Sequence, residues 1–181
     1  MKLAPIQLLQ LFFKKVSVQI DERHAPKEPL NPFATIFVFD GVEINTEFGI
    51  GEIDTAHERG RLFLVTLKVM VNNQPSDQAS ERKFCPYLID VDARGVVLVR
   101  KGAEKLAPPE DLAAVNGASL LWAAVREQVL TVTSRMLAGP VTLPTMNFHD
   151  LKQRTEVAEP DVPATKPKAS GRKKTGSADP T

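Results

Sequence analysis

Apolar and polar residues alternate along several stretches in the first 100 residues of the chain. In "RLFLVTLKVMVNN", Leu67, Val69 and Val71 share one face of a strand, and Lys68 and Met70 share the other. A period of two is typical of a β-strand that is buried on one face only. The pattern therefore predicts a sheet with one apolar face, which a second layer must cover.

Further strands are predicted on both sides of this one. The alternation runs through Val16, Val18 and Ile20 in "FFKKVSVQID", and through Ile89, Val91, Val97 and Val99 in "YLIDVDARGVVLVRKG". The latter is either a strand pair or one strand with a bulge around Arg94 and Gly95. A fourth strand is expected within "GVEINTEFGIGEID". Pro26, Pro29 and Pro32 exclude a regular ladder after the first strand, so a long connection follows it.

One long helix is predicted after the strands. Pro109 suits its first turn, where Glu110 and Asp111 lie near the positive end of the helix dipole. Its apolar stripe consists of Trp122, Val125, Val129, Val132 and Met136, widened by Leu121, Leu130 and Leu137. Gly139 and Pro140 are expected to end it. Strands followed by a helix indicate an α+β domain, an antiparallel sheet with helical structure on one side.

The net charge and the single cysteine limit which classes of partner and which cellular compartment are expected. The net charge of the 181 residues is +1, so no global field attracts the chain to nucleic acid or to membranes. Cys85 is the only cysteine, which excludes an intrachain disulfide and favours a reducing compartment. The N-terminal "MKLAPIQLLQLFFKK" is interrupted by Pro5 and Gln7 and differs from a cleavable signal. We expect a cytoplasmic protein without membrane insertion.

The composition changes near residue 154. Residues 155–181 contain five basic and four acidic side chains, and valine is the only large apolar residue type there. Such a segment cannot bury enough apolar surface to offset the entropy of ordering it. The sequence therefore predicts a folded domain over 1–154 and a disordered tail, rich in Pro, Lys and Ala, over 155–181.

Residue patterns of the common enzyme classes are missing from the sequence. His24, His57 and His149 have no second His and no Cys three or four residues away, so no metal site is predicted. The "GIG" at 49–51 lacks the third glycine of a dinucleotide loop, and there is no phosphate-binding loop. Cys85 precedes a proline in a predicted strand and is expected to be a packed thiol. The sequence predicts no enzyme activity and no cofactor.

The order of motifs resembles that of the SecB export-chaperone family. "VREQVLTVTSR" followed by "GPVTLPTMNFHDL" is similar to a family pattern in which a helix leads into a Pro- and Leu-containing segment. The matching residues are Arg126, Glu127, Ser134, Arg135, Leu143, Pro144, Asn147, Phe148 and Leu151. "LKVMV", "YLIDVDARGVVLV" and "LQLFFKKVSVQ" with Ala25-Pro26 are similar to family strands. The resemblance covers most of residues 8–151.

This resemblance implies a SecB-like α+β protomer, with a four-stranded antiparallel sheet and a long C-terminal helix on one side, assembled as a homotetramer. It implies an ATP-independent holdase that binds unfolded or precursor polypeptides in apolar grooves, in the service of protein export. The expected client-binding groove comprises Leu30, Phe33, Trp122, Met136, Val141, Leu143, Met146 and Phe148. On this hypothesis Val141, Leu143, Met146 and Phe148 are exposed to clients and are not buried in a core.

Because the chain differs from the SecB family at several positions, the resemblance does not identify its partner. Acidic residues of the family's first strand help to dock the SecA motor, whereas this chain has Lys15 and Gln19 there, so that surface is not carried over. The segment after Leu151 is polar, and residues 1–154 are neutral overall. These differences indicate a divergent member, with clients such as the antitoxin of a toxin–antitoxin system. The alternatives are a dedicated adaptor for one folded or helical partner and an uncharacterised enzyme.

Overall fold

Four antiparallel strands and one long helix dominate the computed structural model, which describes residues 3–27, 37–74 and 83–152. The strands are β1 (Ile6–Ile20), β2 (Asn45–Asp54), β3 (Gly60–Val71) and β4 (Tyr87–Arg100), and the helix is α1 (Pro109–Thr133). Short 3₁₀ turns lie at Ala103–Lys105 and His149–Leu151. The strand order is β1-β4-β3-β2, so β1 and β2 form the two edges. The predicted α+β class, with a four-stranded sheet and a long helix against it, is confirmed.

The stretch "YLIDVDARGVVLV" forms one continuous strand, β4, which pairs with β1 and β3 along its length. The irregularities that the sequence suggested near Gly95 lie instead in β1, where the register shifts twice. Gly95 has a packing role, because a Cβ there would lie 2.7 Å from Leu8 Cδ1 and 3.0 Å from Leu121 Cδ2. The glycine therefore lets β1 and α1 approach β4 closely.

The helix covers the apolar face of the sheet. Leu67, Val69 and Val71 of β3 are buried on that face, as the alternation predicts. A Cβ on Gly117 would meet Val65 Cγ2 at 2.8 Å, so the absence of a side chain there allows α1 to lie directly on β3. Trp122, Val125 and Val129 from the predicted stripe belong to the same core. Helix and sheet thus share one apolar layer.

The helix ends earlier than the sequence predicts. Its last residue is Thr133, and Gly139 closes a following turn with a positive φ of 80°. The Thr133 hydroxyl donates to the carbonyl of Val129 at 2.8 Å and accepts from the amide of Val141 at 3.0 Å. Because Val141 comes from the returning chain, a tertiary contact, invisible in local sequence, accompanies the end of the helix.

Several sequence predictions lie outside the described residues. These are the groove residues Leu30 and Phe33 and the tail 155–181. The division into a domain over 1–154 and a tail therefore stays a prediction. Within the described residues, no helix is both long and apolar enough to cross a membrane.

Candidate functional site

Residues 139–148 run back along α1 as a segment that we call the strap. In the described part of the chain, its β pairing is limited to one isolated parallel bridge between Phe37 and Val141. Pro140 and Pro144 have no amide hydrogen to donate, so a regular ladder is unavailable to the strap. Other groups must anchor it.

Side chains of β4 and α1 supply those anchors by donating to strap carbonyls. The bonds run from Tyr87 Oη to Gly139 O at 2.6 Å, from Arg126 Nε to Leu143 O at 2.7 Å, and from Trp122 Nε1 to Pro144 O at 2.8 Å. Burial raises the pKa of Tyr87 to about 12, so its hydroxyl keeps its proton at neutral pH. Buried carbonyls that lack a ladder partner are thereby satisfied.

The expectation that Val141 and Leu143 are exposed is wrong. Val141 is 1% exposed and Leu143 is 0% exposed, and both belong to the core that α1 and the sheet form. Trp122, another predicted groove residue, is 3% exposed. The surfaces of these three side chains are thus enclosed by the protein itself. The strap is apolar although it cannot form a ladder, because its buried side chains form one wall of the core.

Apolar side chains at both ends of the strap remain accessible. Met136 is partly buried and Leu137 is 72% exposed just before it. Met146 is 39% exposed near its far end, where Phe148 packs edge-on against Trp122 with ring centroids 6.0 Å apart. Of the predicted groove residues in the described regions, Met136, Met146 and Phe148 are thus the ones that a partner can reach.

A groove of about 230 Å³ lies between β2, the start of α1 and the 3₁₀ turn that follows the strap. Its lining consists of Phe48, Ile50, Gly51, Glu52, Phe63, Glu110, Asp111, Ala114 and Leu151. Arg61 forms ion pairs with Glu52 and Glu110, and these pairs lower the pKa of Glu52 and raise that of Arg61. The groove therefore combines an apolar floor with a charged rim beside an edge strand.

The outer edge of β1 carries large apolar side chains. The exposed ones are Leu9, Leu11, Phe12 and Val16. β1 pairs with β4 on one side, and no described strand pairs with its other side. An apolar edge with unpaired backbone groups is a template for association with another chain.

The outward face of α1 is also low in charge. Its exposed residues between positions 112 and 133 are Ser119, Leu120, Ala123, Glu127, Leu130 and Thr131. Glu127 is the one charged residue in that set, whereas the solvent face of a monomeric helix is usually rich in charge. Small and aliphatic side chains are suited to packing against a second helix.

A buried carboxylate, Asp21, fixes the end of β1. It accepts hydrogen bonds from Arg23 Nε at 3.0 Å and Asn73 Nδ2 at 3.0 Å, and His24 Nδ1 lies 2.9 Å away. The Arg23 guanidinium, helped by Asn73 and His24, holds the pKa of Asp21 well below its ordinary value despite burial. Asn73 also bonds the backbone N–H and C=O of Cys85. Sequence reasoning missed this cluster, because Asn73 lies 52 residues from Asp21 in the chain and the residues match no motif.

The thiol of Cys85 is unsuited to nucleophilic chemistry in this setting. It is fully buried, and burial raises its pKa to about 11. Over the described ranges, the structure groups no three His, Cys, Asp or Glu residues in a way that could hold a metal ion. The features that stand out are apolar surfaces and the strap.

Comparison with known proteins adds no family to this description. No protein-family model matches the chain, and no curated protein matches it.

Proposed function

We propose that the protein is an ATP-independent holdase chaperone that binds unfolded or precursor polypeptides, as the resemblance to the SecB family implies. The observation that carries the proposal is the set of exposed apolar side chains on β1 and at the ends of the strap, including Phe12, Leu137 and Met146. Exposed apolar surface of this kind marks sites of interaction with other chains. The proposed location is the cytoplasm.

Weak contacts repeated over an assembly can hold an unfolded client. An extended client that buries about 400 Å² of apolar surface gains about 10 kcal/mol before ordering costs. Much of that gain is lost when the client is immobilised. Simultaneous contact with several subunits restores affinity without any new type of contact. The thioethers of Met136 and Met146 suit varied clients, because they repack easily.

The groove beside β2 supports the same function. Its apolar floor, with Phe48 and Ile50 from β2 and Leu151 from the 3₁₀ turn, has room for one or two side chains. β2 is an edge strand, so an extended client beside it can form main-chain hydrogen bonds while its side chains enter the groove. Such binding depends little on client sequence.

Aggregation assays test the function directly. Wild-type protein is expected to suppress light scattering by a chemically denatured client without ATP. Leu137→Ser combined with Met146→Ser is expected to weaken suppression about two- to fivefold, because both side chains are accessible and apolar. Leu106→Ser is the control, since Leu106 is about as exposed as Leu137 but precedes α1 in the chain. Wild-type protein that fails to protect any denatured client would contradict the proposal.

Self-association is part of the proposal, with a homotetramer as the expected assembly. The apolar edge of β1 and the weakly charged face of α1 support contacts with further copies of the chain. Light scattering with size-exclusion chromatography is expected to give a tetramer mass for the wild type. Leu11→Lys with Val16→Lys is expected to give a smaller species, because two charges at the edge oppose its pairing. Leu106→Lys should leave the mass unchanged, and a monomeric wild type would refute the assembly.

A second candidate is a dedicated chaperone or adaptor for one partner, such as an antitoxin. The sheet face opposite α1 favours it, because its acidic groups are paired within the chain. Lys15 bonds Asp90, and Lys68 Nζ lies 3.3 Å from Glu47 Oε1. This face offers few free acids to SecA, which supports a different partner. A dedicated adaptor would leave the aggregation of generic clients unaffected while it binds its own partner.

A further inference from the structure

The strap conceals two hydrogen-bond donors that can recognise any polypeptide backbone. Arg126 Nε and Trp122 Nε1 project from α1 and donate to the strap carbonyls of Leu143 and Pro144. Both acceptors are main-chain oxygens, which every polypeptide carries. The side chains of the strap are therefore not what these two donors recognise.

Apolar contacts complete the recognition of the strap. Val141 and Leu143 alternate inward, as in an extended strand, and both are fully enclosed. Thr142 between them is only partly buried. Alternate aliphatic residues in pockets, together with donors to the carbonyls, describe how a groove holds an extended peptide. The strap thus occupies its site in the manner of a bound client segment.

Release of the strap would leave the sheet intact. Its β pairing in the described regions is the single bridge to Phe37, so no ladder has to break. Gly139, at its start, has a φ of 80°, and a Cβ there would meet no atom within 4 Å. Tyr87 anchors this end of the strap with one hydrogen bond. The cost of release therefore lies in the burial of Val141 and Leu143 and in the hydrogen bonds of the strap, which a bound client has to replace.

We propose that a client displaces the strap and takes over its site, which Trp122, Arg126 and the pockets of Val141 and Leu143 form. The inference rests on the holdase function proposed above and adds the position of the client and the control of access. The client is an extended segment with aliphatic residues at alternate positions. The strap is an internal competitor, so client affinity follows the fraction of molecules in which the strap is released.

Hydrogen exchange measured on the full chain gives the first test. A permanently unfolded polypeptide, reduced and carboxymethylated, is the probe. At saturation, peptides that cover 139–148 are expected to exchange faster, and the amide of Val141, which bonds Thr133 Oγ1 at 3.0 Å, should lose protection. A client bound on top of a fixed strap would instead slow exchange there. Slower or unchanged exchange with the client bound would overturn displacement.

Client affinity in strap variants gives the second test. Tyr87→Phe removes the bond to Gly139 but neither donor of the site, so it is expected to tighten binding about five- to tenfold. Gly139→Ala serves if that variant folds poorly, because it strains the turn without a clash. Thr66→Val is the control, since it removes a side-chain bond to Gly49 O on β2, away from the strap. Unchanged or weaker binding by a folded strap variant would overturn the proposal.

The two proposals fail in different ways. If the wild type binds no unfolded polypeptide, the holdase function is wrong and displacement is wrong with it. If the wild type binds while the strap stays protected, only displacement is wrong. Client affinity therefore shows whether the protein binds clients at all. Hydrogen exchange of the strap shows where the client binds.

Discussion

Asp21→Ala is expected to lower the free energy of unfolding by about 1.5–3 kcal/mol, because it removes the charged acceptor of the buried Asn73 amide and of its neighbours. The carboxylate is 4% exposed and accepts from Arg23 and Asn73, with His24 at hydrogen-bond distance. In the alanine variant the buried amide of Asn73 loses one of its two acceptors and keeps the bond to Cys85 O. Urea unfolding at pH 7, followed by circular dichroism, measures the change.

The same carboxylate makes stability depend on pH. Its pKa lies below the ordinary value of 3.8 in the folded protein, so the unfolded chain binds the proton more readily. The stability that Asp21 contributes is therefore complete above about pH 4 and is lost as the pH falls towards the folded pKa. The difference between wild type and Asp21→Ala should shrink when urea unfolding is repeated at pH 3.

Arg23→Ala is the control for this cluster. Its side chain is largely exposed, and the carboxylate keeps its bond to Asn73 when the guanidinium is removed. This variant is expected to lose much less stability than Asp21→Ala, because exposed ion pairs contribute little. An Asp21→Ala protein as stable as Arg23→Ala would show that the carboxylate does not anchor the end of β1.

Leu143→Ser is expected to destabilise the protein by about 3–5 kcal/mol, whereas Met146→Ser, three residues along the strap, changes it by less than about 0.5 kcal/mol. Leu143 is fully buried, so serine leaves a cavity and places a hydroxyl among apolar side chains. Met146 is partly exposed and leaves no comparable void. Thermal and urea unfolding of the two variants give the comparison.

This pair also separates two ways in which a variant can lose the proposed holdase activity. Leu143→Ser acts through the fold, and Met146→Ser acts through the accessible surface. Equal stability of the two variants would contradict the burial of the Leu143 side chain in the core.

Local patterns predict the sheet because burial on one face leaves a period of two in the sequence. Leu67 and Val69 illustrate this, since their alternation with Lys68 reflects contacts with one covering layer. The start of α1 at Pro109 is also local, because proline and two acids suit the first turn. The end of the helix has no such local signal in the sequence. It coincides with the contact between Thr133 and Val141, which exists only after the chain turns back.

The sequence shows which segment forms the candidate site, but not which of its side chains face the core. Hydrophobicity and prolines mark 139–148 as an unusual segment, yet they do not reveal which side chains it buries. Leu143 and Met146 are both large and apolar, and only the anchoring of the strap by Arg126 and Trp122 decides that one is enclosed and the other accessible. The Asp21–Asn73 pair joins β1 to the end of β3 and leaves no local signal.

The position of β4 between β1 and β3 determines how late in synthesis β1 can pair. β2, β3 and β4 follow one another along the chain and pair as neighbours, whereas Ile6 at the start of β1 pairs with Val99 near the end of β4. A nascent β1 therefore emerges from the ribosome long before β4, the one strand that pairs with it among the described residues, is synthesised. Until then the apolar side chains of β1 lack the strand beside which they pack in the folded protein, so the N-terminal strand is the part of the sheet that stays unpaired longest during synthesis.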